Sequence, residues 1–232
     1  MTLPSMAVHP DIKAKLGDQV LADVARNLWP QDCQSCNKPL GTQPPSLCID
    51  VDPSVTMATL HHTTCQTSSW NDLYFRASSN LSWRSRMIDW ALGGTDDKPD
   101  IWPTFLVNPH LEAVRLRQDD AGAWQVATMD YGRELGLATA GPDFIIDRPV
   151  RAHDGHTPTA RLRGSTVEVH LSPFEHWAGT FEKLYTTRVR ERGGVMLAYT
   201  TAIHPQQLTS YQEFIQPVAR REVAFGLIPL AR

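Results

Sequence analysis

Two pairs of soft metal ligands, one hairpin's length of chain apart, constrain this sequence more than anything else in it. Cys33-Gln34-Ser35-Cys36 opens the stretch and His62-Thr63-Thr64-Cys65 closes it. Two thiolates spaced Cys-x-x-Cys fit one tight turn, and a His-x-x-Cys pair fits one further turn, so four donors can meet at a single tetrahedral ion. The intervening chain has the pattern of a hairpin. Ser46–Val51 and Val55–Leu60 are short apolar runs around Asp52-Pro53-Ser54, a turn signal. The spacing therefore predicts a zinc module with Cys33, Cys36, His62 and Cys65 as ligands. His61 is the rival of His62, but the His-x-x-Cys spacing favours His62. Cys48, between Leu47 and Ile49, reads as a small buried thiol. Four protein ligands leave no open coordination position, so the expected zinc is structural and non-catalytic.

The order knuckle, hairpin, ligand turn resembles the treble-clef zinc fold over about residues 33–70, on Cys33, Cys36, His62 and Cys65. The resemblance implies that His62 and Cys65 sit on the first turn of a helix. It implies a module and no activity, because treble clefs serve in LIM-type adaptors, ribosomal proteins and nucleases alike.

Redox use of Cys33 and Cys36 requires a strand before the pair and a helix after it. Pro30, Asp32 and Pro39-Leu40-Gly41 argue against that helix. A zinc deaminase requires His-x-Glu upstream of Pro-Cys-x-x-Cys, whereas Asp32 precedes Cys33. Four cysteines with this spacing fit reduced metal ligation in a cytoplasmic protein better than a disulfide framework. The first residues lack a basic stretch followed by an apolar core, and no run of 18 apolar residues occurs, so neither a secretory signal nor a transmembrane helix is expected. The chain has 232 residues, 22 basic and 25 acidic, with a net charge of −3; no overall field draws in nucleic acid.

Along the rest of the chain, Ile12, Leu16, Val20, Val24 and Leu28 recur every four residues and predict a helix over 10–28, with Pro10 at its first position. Trp70, Tyr74, Phe75, Trp83 and Trp90 are expected to form a packing seam between the zinc module and the remainder. Trp83–Leu92 fits a helix or a strand, and its apolar spacing weakly favours the helix. Gly93–Pro99 reads as a linker, which divides the chain into 1–92 (N-terminal helix and zinc module), 93–100 (linker) and 101–232 (a mixed α/β domain). In that last part strands are expected near 104–107, 110–117 and 123–129, and a hairpin around Arg163-Gly164. Ser172, Pro173 and Glu175 form a capping box that predicts a helix running to Arg192, stopped by Gly193-Gly194. A strand at 195–201, a helix near 209–218 and a strand at 223–230 complete a βαβαβ-like segment with some parallel pairing. The fold class expected is α+β.

Two functions fit. The first is a zinc-stabilised binding or adaptor protein with a protein or nucleic-acid partner; Arg148, Arg151, Arg161 and Arg163 would be the basic patch for the latter. The second is a metal-dependent nuclease-like enzyme, with Asp143 and Glu168 on neighbouring strands as ion ligands and His170 where such enzymes carry lysine. His153 and His156 lie in a polar loop with no evident third ligand. No nucleotide-binding loop and no nucleophile–base motif occurs, so nothing points to catalysis beyond the Asp143, Glu168 and His170 set.

Overall fold

A computed structural model of the chain describes residues 5–52, 55–72, 83–95, 98–139, 150, 157–172 and 175–231. Its elements in chain order are α1 (Pro10–Asn27), β1 (Ser46–Val51), β2 (Thr56–His61), β3 (Ser69–Asp72), β4 (Arg84–Thr95), β5 (Lys98–Asn108), β6 (Ala113–Gln118), β7 (Trp124–Val126), α2 (Thr128–Glu134), β8 (Ala138–Thr139), β9 (Thr159–Arg163), β10 (Thr166–His170), β11 (His176–Thr180), α3 (Lys183–Arg192), β12 (Gly194–Tyr199), α4 (Tyr211–Ala219) and β13 (Ala224–Pro229). The mixture of helices with antiparallel and mixed sheets agrees with the expected α+β class.

The chain divides into two units that are not continuous in sequence. The first comprises Met1–Trp83 and His110–Thr128; the second comprises Arg84–Pro109 and Met129–Arg232. The segment 93–100 is therefore not a linker between consecutive domains. Gly93, Gly94 and Thr95 end β4, and Lys98–Asp100 begin β5, its antiparallel partner. Glycine, aspartate and proline suit a hairpin end as well as a linker, and only cross-strand pairing separates the two.

The first unit is a five-stranded sheet in the order β3-β1-β2-β6-β7. Its neighbours pair antiparallel except β3, which runs parallel to β1. Ile12, Leu16, Val24 and Leu28 of the N-terminal segment join Leu47, Ile49, Ala58, Leu60, Val114 and Leu116 in one core. The four-residue stripe read from the sequence is thus the packing face of α1. The helix is kinked at Gly17, whose φ of 73° and ψ of 168° leave the helical region; glycine tolerates that conformation because it has no Cβ. Trp70 on one edge strand meets Trp124 on the other, edge to face, with ring centroids 5.2 Å apart, so the sheet curls.

The second unit holds a sheet in the order β4-β5-β12-β13-β8 and a three-stranded meander, β11-β10-β9. β12 pairs parallel with β5 and antiparallel with β13. The strand–helix–strand run β12-α4-β13 is accordingly an antiparallel return, and the parallel pairing expected in the C-terminal part is made with β5 instead. Trp90 packs against Phe214 and Phe225 at 4.6 and 4.5 Å, in a core with Leu106, Met196 and Val223. Trp70 and Trp90 therefore belong to separate cores rather than one seam, while Tyr74 and Phe75 lie outside the described residues. Trp83–Leu92, weakly helical by spacing, lies almost wholly in β4.

The long helix expected from Ser172 to Arg192 is replaced by a strand, β11, and a shorter helix, α3. The Glu175 backbone N–H does donate to Ser172 Oγ at 3.1 Å, as a helix cap would arrange. Yet the Leu171 N–H donates to the Glu175 carbonyl at 2.8 Å, which closes a hairpin, and β11 pairs along β10. Helix α3 starts only at Lys183 and ends, as expected, at Gly193 in the left-handed conformation. A serine-capped turn is common to both structures, and the neighbouring strand decides which one follows.

Candidate metal centre

The cluster is built by two turns that the first unit holds side by side. In the first, Cys33 N–H donates to the Lys38 carbonyl and Asn37 N–H to the Cys33 carbonyl, both at 2.8 Å. Asn37 turns the chain at a φ of 57°, a left-handed conformation that asparagine tolerates better than most residues. Outside the turn, Asp32 and Pro39 form an antiparallel bridge, and Leu40 N–H reaches the Gln31 carbonyl. The second turn leaves the end of β2: Cys65 and Gln66 N–H groups donate to the His62 carbonyl at 2.9 and 3.0 Å. The chain then enters β3, so no helix forms between Cys65 and Asp72, where the treble-clef resemblance implied one. The two turns are joined directly, because Gln34 N–H donates to the Leu60 carbonyl and His62 N–H to Cys33 Sγ at 3.2 Å.

Cys33, Cys36, His62 and Cys65 each offer one donor atom, and all four atoms lie within 4.8 Å of one another. This Cys3His cluster can hold a metal ion. His62 Nδ1 faces Cys36 Sγ at 3.4 Å and Cys65 Sγ at 3.7 Å. Its other nitrogen, Nε2, is 2.9 Å from the Pro39 carbonyl. A carbonyl only accepts, so Nε2 carries the proton and Nδ1 presents its lone pair to the cluster. His61 is excluded by its contacts: it is buried, with Nδ1 2.8 Å from Ser35 Oγ and Nε2 2.9 Å from Thr59 Oγ1. The adjacent histidines point to opposite faces of the strand end, as a period of two requires.

The thiols differ in acidity. Burial pushes the Cys33 thiol up, but the backbone N–H groups of His62, Ser35 and Cys36 and the Cys36 side chain outweigh it and bring Cys33 down to about 7. Cys65 is raised to about 11, first by its hydrogen bond with Cys36. Cys33 is thus ready to ionise near neutral pH, whereas Cys65 holds its proton. Cys48 stands apart. It is fully buried in β1, its thiol faces the Thr67 carbonyl at 3.5 Å, and burial raises it to about 11.

Sequence reasoning missed Glu112. Its side chain is wholly buried, yet it belongs to the machinery of the first turn. Oε1 accepts the Asp32 backbone N–H at 3.0 Å and Oε2 accepts the Gln34 side-chain amide at 3.2 Å, so the carboxylate grips the residues on either side of Cys33. Its backbone carbonyl accepts Leu60 N–H at 3.1 Å and so grips the other turn's strand as well. In the sequence Glu112 is one charged residue between Leu111 and Ala113, with 78 residues separating it from Gln34.

Asp143 lies outside the described residues, as do Arg148, Arg151, His153 and His156. Glu168 and His170 lie on β10; Glu168 Oε1 is 3.7 Å from Arg163 Nε and Oε2 is 3.9 Å from His170 Nε2. Arg161 and Arg163 lie on β9, both exposed. Among the described residues no helix is long and apolar enough to cross a membrane. No protein-family model, no curated protein and no solved structure matches the chain.

Proposed function

We propose that this chain is a zinc-stabilised binding protein in which Cys33, Cys36, His62 and Cys65 hold one structural, non-catalytic zinc ion. The observation that carries the reading is the spacing of the donors. A tetrahedral zinc, with bonds of about 2.3 Å to sulfur and about 2.0–2.1 Å to nitrogen, sets its sulfur and nitrogen ligands about 3.6 Å apart. The Sγ–Nδ1 separations here are 3.4 and 3.7 Å. Three sulfurs and one imidazole are also the donors zinc prefers, and they fill its tetrahedron without leaving a position for substrate or water. Zinc in this place supplies cross-linking: it ties the turn before Pro39 to the end of β2, a join otherwise made by hydrogen bonds.

The resemblance to a treble clef then extends to knuckle and hairpin but stops at the helix. A closed site supports a role in presenting a surface to a partner, as adaptors do, rather than in catalysis.

The test is metal analysis of freshly purified protein, with about one zinc per chain expected from the four-ligand set. Absence of zinc, or full retention after Cys33→Ser, overturns the reading. Titration against duplex DNA and RNA at two salt concentrations then identifies the partner class. A nucleic-acid complex weakens steeply with salt through counterion release; no binding at either concentration leaves a protein partner.

A further inference from the structure

The meander β9-β10-β11 has two faces of opposite character. Ala160, Val167, Val169 and Trp177 are buried on one. Strand alternation places Arg161, Glu168, His170 and His176 on the other. On that outer face His170 and His176 occupy directly opposed positions of the antiparallel pair. Their rings lie nearly parallel, with centroids 5.8 Å apart and planes 14° from each other. Glu168, two residues along β10, sets Oε2 3.9 Å from His170 Nε2.

We propose that His170, His176 and Glu168 form a second, solvent-facing metal site, for a divalent transition ion of the class that seeks imidazole: zinc, nickel or copper. Opposed cross-strand positions hold their Cβ atoms about 4.5–5.5 Å apart. Two imidazoles carried at that separation span an ion with bonds of about 2.0–2.1 Å by side-chain rotation alone, with no movement of the backbone. The rings are stacked, so both rotate to gather their nitrogens, and Glu168 turns from Arg163 to join them. Glu168 supplies the third donor. Its present neighbour Arg163, with Nε 3.7 Å from Oε1, competes for the carboxylate and keeps it balanced when no ion is bound.

This site differs in kind from the cysteine cluster. Nitrogen and oxygen donors replace sulfur, and two or three protein ligands on an exposed sheet leave coordination positions open to water or to a ligand. The ion held there exchanges readily, whereas the cysteine-bound ion is enclosed. The proposal does not depend on the cysteine site, which lies in the other unit.

The experiment is calorimetric titration of zinc into the metal-stripped full chain. Two classes of equivalents are expected, one tight and one weaker. His170→Ala and His176→Ala each remove the weaker class and leave the tight one; Cys36→Ser removes the tight class and leaves the weaker. Circular dichroism checks that each variant keeps its strands, and His176→Gln replaces any alanine variant that does not. A single class in the unaltered chain overturns the proposal. So does survival of the weaker class in the His170→Ala, His176→Ala double variant.

Discussion

Replacing Glu112 tests whether a carboxylate buried far along the chain holds the metal-binding turn. In Glu112→Ala the Asp32 N–H and the Gln34 amide lose the acceptors they meet at 3.0 and 3.2 Å. Both bonds end on the buried side chain of Glu112; the Gln34 bond is itself buried and the Asp32 bond half-buried. A buried donor left without its acceptor costs about 1–3 kcal/mol, and the half-buried Asp32 N–H costs less, so the two together cost about 1–6 kcal/mol before any term for the lost side-chain volume. Total domain stability is only about 5–15 kcal/mol, so the first unit should lose a large share of its own. Glu112→Gln retains the shape and one acceptor but turns an NH2 group toward the other donor, and roughly half of the loss is expected. Because the carboxylate flanks Cys33 on both sides, metal affinity should also fall, by about 10–100-fold, as when an outer contact of a ligand is removed. Urea unfolding of the metal-loaded protein gives the first quantity and competition with a chromophoric chelator gives the second. If Glu112→Ala shifts stability by less than about 0.5 kcal/mol, the scale of an ordinary surface change, and binds metal as tightly as before, the reasoning fails.

The two adjacent histidines should separate cleanly. His62→Ala abolishes stoichiometric metal binding, whereas His61→Ala retains it and costs about 1–3 kcal/mol through the buried Thr59 hydroxyl that it leaves unmatched; equal metal loss in both refutes the assignment. Gly179→Ala should destabilise the second unit by about 1–3 kcal/mol in thermal unfolding, as overpacking does: an added Cβ would sit 2.3 Å from Phe181 Cζ. An unchanged midpoint would show that Phe181 moves freely aside. Burial, with help from Arg84, holds His204 below its ordinary pKa of 6.5. A histidine kept neutral in the fold stabilises fully above that value, and the contribution is lost as pH falls below it. Unfolding measured between pH 8 and 5 should show a decline beginning near 6.5, and His204→Gln should flatten it; identical profiles refute it.

Much of the metal cluster was legible because its ligands are local in sequence. Cys-x-x-Cys and His-x-x-Cys each fit a single turn, and turn geometry depends on the few residues that compose it. The α1 stripe and the stop at Gly193 were legible for the same reason. The choice between His61 and His62 rested on spacing alone, and only the contacts of Ser35, Thr59 and Pro39 give it a cause.

What the tertiary structure decided is everything that rests on pairing between separate segments. The Ser172–Glu175 bond fits a helix and a hairpin equally, and β10 selected the hairpin by pairing with β11. Gly93–Pro99 fits a linker and a hairpin end equally, and ten paired positions along β4 and β5 selected the latter. Glu112 shows no local signal at all, since its meaning comes from Asp32 and Gln34. Likewise His170 and His176 are unremarkable in sequence and meet only because the strand register sets them opposite each other. Short-range dihedral preferences and ligand spacing are written into neighbouring residues. Which strands pair, and which polar side chain is buried between them, depends on segments that neighbouring residues do not specify, and for Glu112 on a loop closure across tens of residues.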